Sequence, residues 1–354
     1  MSWENKLTLE KILLRAGTAW ASDVHLCDGS DIIFRIHGEL KHSDPTILSS
    51  SDMEELFLEA VWNNPVKIEA FKKTRDLDFA YTSQLDGTSY RVNAYSKMGK
   101  IWLAIRRIEK NAKSMDDLGL PDWLDKVLIA KQGIFLITGP TGSGKSTTMV
   151  SIIERINQTR EEHIITIEDP IEFVFENKRS MFSQREVGRD TLSFVSAIRS
   201  AMREDPDIVM VWEMRDHETV EAAMNLAETW HLVFSTLHTS WSVQTISRIV
   251  QFFPSDIQEQ TRVRLADSLI GVLSQRLIPR VDIPGRVWIH ELMYVTPAIK
   301  NLIKSWDLKQ INNNIVLGFQ DGMIHMRKSA DRLRDQWVIQ EIDYEWYFMN
   351  EDSE

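Results

Sequence analysis

The chain has 354 residues, which is long enough for two domains. Its residues are 43% apolar and 26% charged, an ordinary composition for a globular protein. No apolar run approaches the ~18 residues of a membrane span, and the first residues lack the features of a signal peptide, so we expect a cytoplasmic protein. The single cysteine excludes an internal disulfide or a four-cysteine zinc site within one chain, and the net charge of −11 disfavours a nucleic-acid-binding surface.

The N-terminal third is predicted to be a small α+β unit, because helical and strand-like apolar spacings alternate along it. A polar stretch at 110–117 is the predicted linker, so we place an N-terminal domain at 1–112 and a second domain at 113–354. The predicted elements are a helix at 7–15, strands at 21–26 and 32–36, a helix at 53–61, and strands at 76–81, 89–95 and 101–108.

The second domain is predicted to contain a parallel sheet covered by helices, since buried apolar runs alternate with helical stretches. From residue 254 onward the pattern predicts mostly helix. The predicted elements are a helix at 122–131, a strand at 133–138, a helix at 147–157, and strands at 164–167, 208–211 and 232–236.

A glycine-rich loop joins the strand at 133–138 to the helix that follows, in the order that a phosphate-binding loop requires. Glycines let backbone N–H groups turn onto phosphate oxygens at the positive end of that helix. Lys145 would reach the β- and γ-phosphates, and the Ser146 hydroxyl would bind Mg²⁺. A chance glycine turn is the alternative, and the flanking strand and helix weigh against it. The predicted nucleotide-binding residues are Gly139, Pro140, Thr141, Gly142, Ser143, Gly144, Lys145, Ser146 and Thr147.

Three polar residues follow apolar strands further along the domain: Glu168, Glu213 and His238. Parallel strands end at one edge of a sheet, so these side chains should converge on the nucleotide. A carboxylate there can hold Mg²⁺ or orient water, and a histidine can sense the γ-phosphate. Each residue taken singly also fits a solvated loop acid or a hydrogen-bonded loop histidine.

Six motifs in this domain together resemble the secretion ATPase superfamily, and within it the type IV pilus retraction ATPases. The resemblance runs from Ala21-Ser22-Asp23-Val24-His25-Leu26 to the segment at 297–304, which is similar to a motif typical of the retraction branch. The motifs are GPTGSGKSTT at 139–148, IEDPIEF at 167–173, QREVG at 184–188, REDPD at 203–207, EMRD at 213–216 and TLHT at 236–239.

The resemblance implies an α/β fold in which a smaller N-terminal α+β domain, PAS-like, precedes a RecA-like P-loop ATPase core. It implies a homo-hexamer that hydrolyses ATP with Mg²⁺ to power pilus retraction. Its partner would be the pilus platform protein of the inner membrane, with which it would associate peripherally, and no stable nucleic-acid partner is expected.

The resemblance also implies roles for individual residues. Glu168 matches the acidic-box glutamate and Glu213 the Walker B glutamate; one would position water and the other serve Mg²⁺ through water, and the sequence leaves that division open. His231 and His238 match the histidine box. The remaining predicted catalytic residues are two N-domain arginines, Arg91 and Arg106, for which a surface salt bridge is the alternative.

Three other functions stay open. A pilus-extension or type II secretion ATPase is disfavoured because such proteins typically carry a four-cysteine zinc site. A ring motor acting on DNA would need a basic stripe, which the acidic balance does not favour. A catalytically impaired ATP-binding subunit is the third, although the residues proposed for catalysis are all present.

Tryptophan is unusually abundant, with 12 residues against 15 glycines, where average usage predicts about 25 glycines. We hypothesise that the gene uses UGA for glycine and was translated with a code that assigns UGA to tryptophan. Returning all 12 to glycine would bring the 15 glycines to 27. UGG codons at positions 212 and 230 would contradict this. Compared with the family, tryptophan replaces an expected glycine at Trp212, Trp230, Trp20, Trp306 and Trp337, and less clearly at Trp102, Trp241 and Trp288, while Trp123 can be genuine.

Overall fold

A computed structural model of the chain describes residues 7–36, 39–108, 112–283 and 285–348. The chain divides into two compact units. The first comprises Met1–Asn111 with Pro170–Val174, and the second comprises Ala112–Asp169 with Phe175–Glu354. In the described residues, no helix has the length and apolar composition needed to cross a bilayer.

The first unit is a six-stranded antiparallel sheet with helices packed on it. Its elements are α1 (Leu9–Thr18), β1 (Ala21–Cys27), β2 (Ile32–Ile36), β3 (Glu39–Asp44), α2 (Ser50–Ala60), α3 (Pro65–Thr74), β4 (Asp76–Thr82), β5 (Ser89–Lys97) and β6 (Lys100–Arg107). The strand order is β3-β2-β1-β6-β5-β4. Side-chain caps start the first two helices, from Thr8 and from the Ser49 and Asp52 capping box. The α+β prediction for this region is confirmed.

The second unit is built on a seven-stranded sheet of order β13-β12-β7-β11-β10-β8-β9, in which only the β12–β13 pair is antiparallel. The predicted parallel sheet is therefore confirmed. Its elements are α4 (Asp125–Leu128), β7 (Gly133–Thr138), α5 (Lys145–Thr159), β8 (His163–Glu168), β9 (Met181–Glu186), α6 (Phe194–Ala201), β10 (Ile208–Val211), α7 (His217–Glu228), β11 (Leu232–Leu237), α8 (Ser242–Gln251), α9 (Gln258–Ser268), β12 (Leu269–Pro279), β13 (Arg286–Tyr294), α10 (Pro297–Ser305), α11 (Lys309–Leu317), α12 (Met326–Asp335) and α13 (Glu341–Phe348).

Two predicted elements differ from the structure. The region after residue 254 is mostly helical as predicted, with helices α9 to α13, but β12 and β13 form a long hairpin within it that was not predicted. Most of β12 is buried, and a continuous apolar run cannot be told from a buried helix by its spacing. The helix predicted at 122–131 is only a 3₁₀ turn followed by the single turn of α4.

Five helices are followed by a tryptophan in the left-handed backbone region: α1 by Trp20, α2 by Trp62, α7 by Trp230, α10 by Trp306 and α12 by Trp337. Their φ values lie between 56° and 71°, and they are five of the nine non-glycine residues with positive φ among those described. Glycine is the usual residue at this helix-terminal position, because a side chain there is strained. The backbone thus supports glycine at these five positions, including Trp62, which the comparison with the family pattern did not single out.

The other described tryptophans lack this backbone signature, Trp212 included, since none of them has a positive φ. Several have packed rings. Trp241 stacks on His325 at 6.4 Å between ring centroids, and Trp288 stacks on His290 at 4.0 Å. The conformational argument for glycine therefore applies to the five helix ends only.

Candidate nucleotide site

The glycine loop leaves the carboxyl end of β7 and turns directly into α5. Gly139, Gly142 and Gly144 have φ values of 146°, 77° and 88°, which side chains rarely adopt. Gly144 occupies the position before the first turn of α5, and no side chain caps the helix there. The first N–H groups of α5 therefore have no side-chain cap, as suits an anion-binding helix terminus.

Lys145 is buried, with 6% of its surface exposed, and points back into the loop. Its ammonium donates to the carbonyl oxygens of Gly139 at 2.8 Å and Pro140 at 3.1 Å. It also lies 3.5 Å from Nδ1 of His238. The lysine thus connects the loop to the segment that follows β11.

Glu213 lies just beyond β10, is 6% exposed, and has a cationic or imidazole donor on each carboxylate oxygen. Oε2 accepts from His238 Nε2 at 2.7 Å, and Oε1 accepts from the Arg215 guanidinium. A His238 tautomer protonated on Nε2 satisfies both ring contacts, because Nδ1 then accepts from Lys145. A continuous chain of polar contacts therefore runs from the loop to the end of β10.

Glu168 ends β8 and is 3% exposed. Its Oε1 accepts from the Thr166 hydroxyl at 2.7 Å and from the Gln184 amide of β9 at 3.3 Å. The two buried carboxylates therefore have different surroundings. The contacts of Glu168 include a hydroxyl and an amide, whereas Glu213 contacts a guanidinium and an imidazole.

The loop, Glu168, Glu213 and His238 all follow the carboxyl ends of adjacent parallel strands, as the strand order requires. His231 does not join them. It precedes β11 at the opposite edge of the sheet, where Nδ1 contacts the Thr229 hydroxyl at 3.1 Å and the Leu226 carbonyl at 3.0 Å. A catalytic role for His231 has no support from its position within this unit.

The two predicted arginines lie in the first unit on neighbouring strands, where Arg91 and Arg106 are directly paired across β5 and β6. Arg106 donates to the Asp23 carboxylate at 2.8 Å while its side chain remains 70% exposed. Within its own unit, Arg106 therefore forms the surface salt bridge that was the alternative to a catalytic role.

Two cavities flank the loop and the carboxylate. One of about 550 Å³ adjoins Glu213 and His238, and one of about 400 Å³ adjoins the start of α5. The first is lined by Glu213, Met214, Arg215, Leu237, His238, Thr239, Gln244, Ser247, Arg248, Gln251 and Phe252. The second is lined by Lys113, Asp117, Leu118, Leu120, Ser143, Gly144, Thr147, Thr148, Gln275, Leu277, Arg280, Arg286, Val287 and Trp288.

Sequence reasoning assigned no role to Arg215 or Gln184, although each contacts one of the predicted glutamates. Both residues belong to motifs that resemble the family, at 213–216 and 184–188, and their place in these motifs could have identified them as candidate site residues. Gln275, which contacts the loop from β12, lay in a region predicted to be helical and carried no signal at all.

Comparisons with known proteins identify the family of this chain. The chain matches the family described as type II/IV secretion system protein over residues 5–327. It is 39% identical over 318 residues to the type IV pilus retraction ATPase PilT of Pseudomonas aeruginosa, covering 90% of this chain and 91% of that protein. It is 39% identical over 308 residues to a twitching motility protein of Neisseria gonorrhoeae, covering 87% and 81%.

A solved structure of the pilus retraction motor PilT with bound ADP superimposes with a TM-score of 0.88 at 39% identity, covering 96% of each chain. The family match and the two relatives each span most of the sequence. The chain therefore belongs to the type II/IV secretion system protein family, and its second unit is the RecA-like P-loop ATPase core that the resemblance predicted.

Proposed function

We propose that this protein is an ATP-hydrolysing motor that assembles as a homo-hexamer and powers retraction of a type IV pilus. The main structural support is a series of polar contacts from Lys145 through His238 to Glu213, which links the phosphate-binding loop to a buried carboxylate. The named functions of its relatives, pilus retraction and twitching motility, support this motor role. The proposed partner is the pilus platform protein of the inner membrane.

The loop N–H groups and Lys145 would bind the ATP phosphates. Hydroxyl and carboxylate oxygens are the ligands that Mg²⁺ prefers, and the Ser146 hydroxyl with the Glu213 carboxylate, through water, provides them. Among the described residues no group of three or more histidine, cysteine or acidic side chains could hold a metal ion by itself. When bound, Mg²⁺ would neutralise charge on the phosphates.

Glu168 is the proposed residue that orients the attacking water. Two of its donors, the Thr166 hydroxyl and the Gln184 amide, hold one carboxylate oxygen in place at the end of β8. His238 would respond to the γ-phosphate, because both of its ring nitrogens already link loop and carboxylate. Of the two arginines, Arg91 is the better candidate to approach the nucleotide, since Arg106 is engaged with Asp23.

A catalytically impaired subunit is the second candidate, favoured by one observation: Trp212 directly precedes Glu213, where the family expects glycine. The two candidates differ in turnover. A glycine-restored chain, with glycine at positions 20, 62, 212, 230, 306 and 337, should hydrolyse ATP, whereas the printed sequence should be poorly active. Near-normal turnover of the printed sequence would show that the tryptophans are tolerated.

The test of the motor is ATPase activity in the glycine-restored chain beside its Lys145→Ala and Glu213→Ala variants. We expect each variant to lose about 100-fold or more in turnover, the magnitude typical of groups that stabilise transition-state charge. Unchanged turnover in Lys145→Ala would remove the central claim. Pilus retraction in a strain lacking its own retraction motor would then separate retraction from extension.

A further inference from the structure

The hairpin of β12 and β13 lies directly against the phosphate-binding loop and contacts it at both ends. Where the loop begins, the Thr138 hydroxyl lies 2.8 Å from the Ser274 hydroxyl. Where the loop turns into α5, the Gln275 side-chain amide donates to the Ser143 carbonyl at 2.7 Å. Gln275 is 1% exposed and Ser143 is 3% exposed, so water does not compete for this bond.

The same strand also determines which loop positions must be glycine. A Cβ atom at Gly139 would lie 2.2 Å from the Gln275 carbonyl oxygen, and one at Gly144 would lie 3.3 Å from the Gln275 amide nitrogen. Two loop glycines therefore approach Gln275 more closely than a side chain would comfortably allow. The loop is docked on this residue by both hydrogen bonding and packing.

Anchoring the Ser143 carbonyl has a consequence for phosphate binding. In a trans peptide the C=O and the following N–H point in opposite directions. A Ser143 carbonyl held toward β12 therefore turns the Gly144 N–H away from that strand. The loop's ability to present this donor to a phosphate depends on the bond from Gln275.

We propose that Gln275 is a positioning residue for nucleotide binding, which orients the phosphate-binding loop by holding the Ser143 carbonyl. The inference rests on the proposed function, since it assumes that the loop binds a nucleotide. His290, the cross-strand neighbour of Gln275 on β13, is neutral because burial lowers the pKa of its imidazole to about 3.

The test compares Gln275→Met, which keeps the length and removes the donor, with Gln275→Glu, which places an acceptor against the Ser143 carbonyl. ADP affinity is measured by titration calorimetry, and kcat and KM for ATP are measured in parallel. The parent is the full-length chain in whichever form, printed or glycine-restored, binds ADP more tightly. Gln310 on α11 is exposed, so Gln310→Met and Gln310→Glu are matched controls.

We expect Gln275→Met to weaken ADP binding and raise KM about 5- to 10-fold, the size of one buried hydrogen bond, with kcat changed less than about 2-fold. Gln275→Glu should weaken binding roughly 100-fold, because it leaves the carbonyl unsatisfied and brings negative charge toward the phosphates. The Gln310 variants should bind ADP like the parent.

Unchanged ADP affinity in Gln275→Met would overturn the inference, and a lowered melting temperature with normal affinity would do the same by showing a purely structural role. If Gln275→Glu does not fold, the ADP affinity of Gln275→Met still tests the proposed role of Gln275. The Lys145→Ala variant separates the two proposals. Normal ADP binding in Lys145→Ala contradicts the proposed function itself, whereas lost binding there with normal binding in Gln275→Met contradicts only the role of Gln275.

Discussion

The phosphate-binding loop and the five helix ends use the same left-handed backbone for different reasons. In the loop, Gly139 has positive φ and also lies too close to β12 to carry a side chain. At the helix ends, Trp20, Trp230 and Trp337 have positive φ but are 78%, 79% and 83% exposed. Glycine is thus required at Gly139 by close packing as well as conformation, and at the helix ends by conformation alone. A side chain in the loop should therefore weaken nucleotide binding, whereas a side chain at a helix end should lower only the stability of the fold.

The largest expected effect is on stability, from replacing the tryptophans at all five helix ends by glycine. Left-handed backbone costs a side-chain-bearing residue roughly 1–2 kcal/mol, and the flexibility of glycine in the unfolded chain offsets part of that gain. We expect the free energy of unfolding to rise by about 1 kcal/mol at each of the three most exposed positions and by less at Trp62 and Trp306, whose rings contact Tyr81 and Arg262, roughly 4 kcal/mol in total. Chemical denaturation of both forms measures this.

A decrease in stability on this replacement would contradict the assignment of these positions to glycine. The gene offers an independent check. UGA codons at positions 20, 62, 230, 306 and 337 are expected, and UGG codons there would mean that tryptophan is genuine despite its conformation.

The next largest effect is expected in the loop, from Gly139→Ala. The added Cβ would lie 2.2 Å from the Gln275 carbonyl oxygen and 2.7 Å from the Ser143 hydroxyl, so the loop must move. Overpacking of this kind costs up to about 3 kcal/mol, and we expect ADP affinity to fall about 100-fold by calorimetry. Gly142→Ala is the control, because no atom lies within 4 Å of its Cβ and only its φ of 77° opposes the change. Equal losses in the two variants would show that packing on β12 is irrelevant.

Trp241→Gly tests whether a tryptophan with negative φ also occupies a position that should be glycine. Its ring stacks on His325 and lies 5.2 Å from the Arg276 guanidinium, and it packs against a small apolar cluster around Met326 and Phe348. We expect a loss of about 2 kcal/mol in unfolding free energy, because a partly buried ring is removed. A gain in stability instead would place position 241 among the glycine positions.

The smallest effect is expected from Trp230→Gly alone. This residue precedes β11 at the edge of the sheet opposite to His238, so its replacement should stabilise by about 1 kcal/mol. The kcat and KM values for ATP should stay within about 2-fold of the parent, as usual for an exposed position far from a site. A tenfold change in either constant would show that helix ends and nucleotide site are coupled.

Local patterns were sufficient to predict the core of the second unit. The buried strand β7, the loop and α5 are adjacent in sequence, and each has a strong signal of its own. The positions of Glu168, Glu213 and His238 followed from a topological rule, that parallel strands end at one edge.

The contacts that hold the loop could not be predicted, because they join distant residues. The bond from Gln275 to Ser143 spans 132 positions, and β12 looked like part of a helical region. Strand β9, which brings Gln184 to Glu168, is polar and has no apolar run from which a strand could be predicted. The left-handed conformation at Trp62 likewise has no sequence signal, since it is set by how α2 ends.

The position of Lys145 determines how its interaction energy is divided along the reaction. Its ammonium donates to two loop carbonyls and lies near an imidazole nitrogen, so in its proposed role binding a nucleotide would exchange one set of acceptors for another. Charged phosphate oxygens attract an ammonium more strongly than neutral carbonyls do, so this exchange favours binding, and its loss in Lys145→Ala should weaken ADP affinity. Only the additional attraction to negative charge that grows after binding lowers the activation barrier, because interactions that are equal in the ground state and the transition state do not.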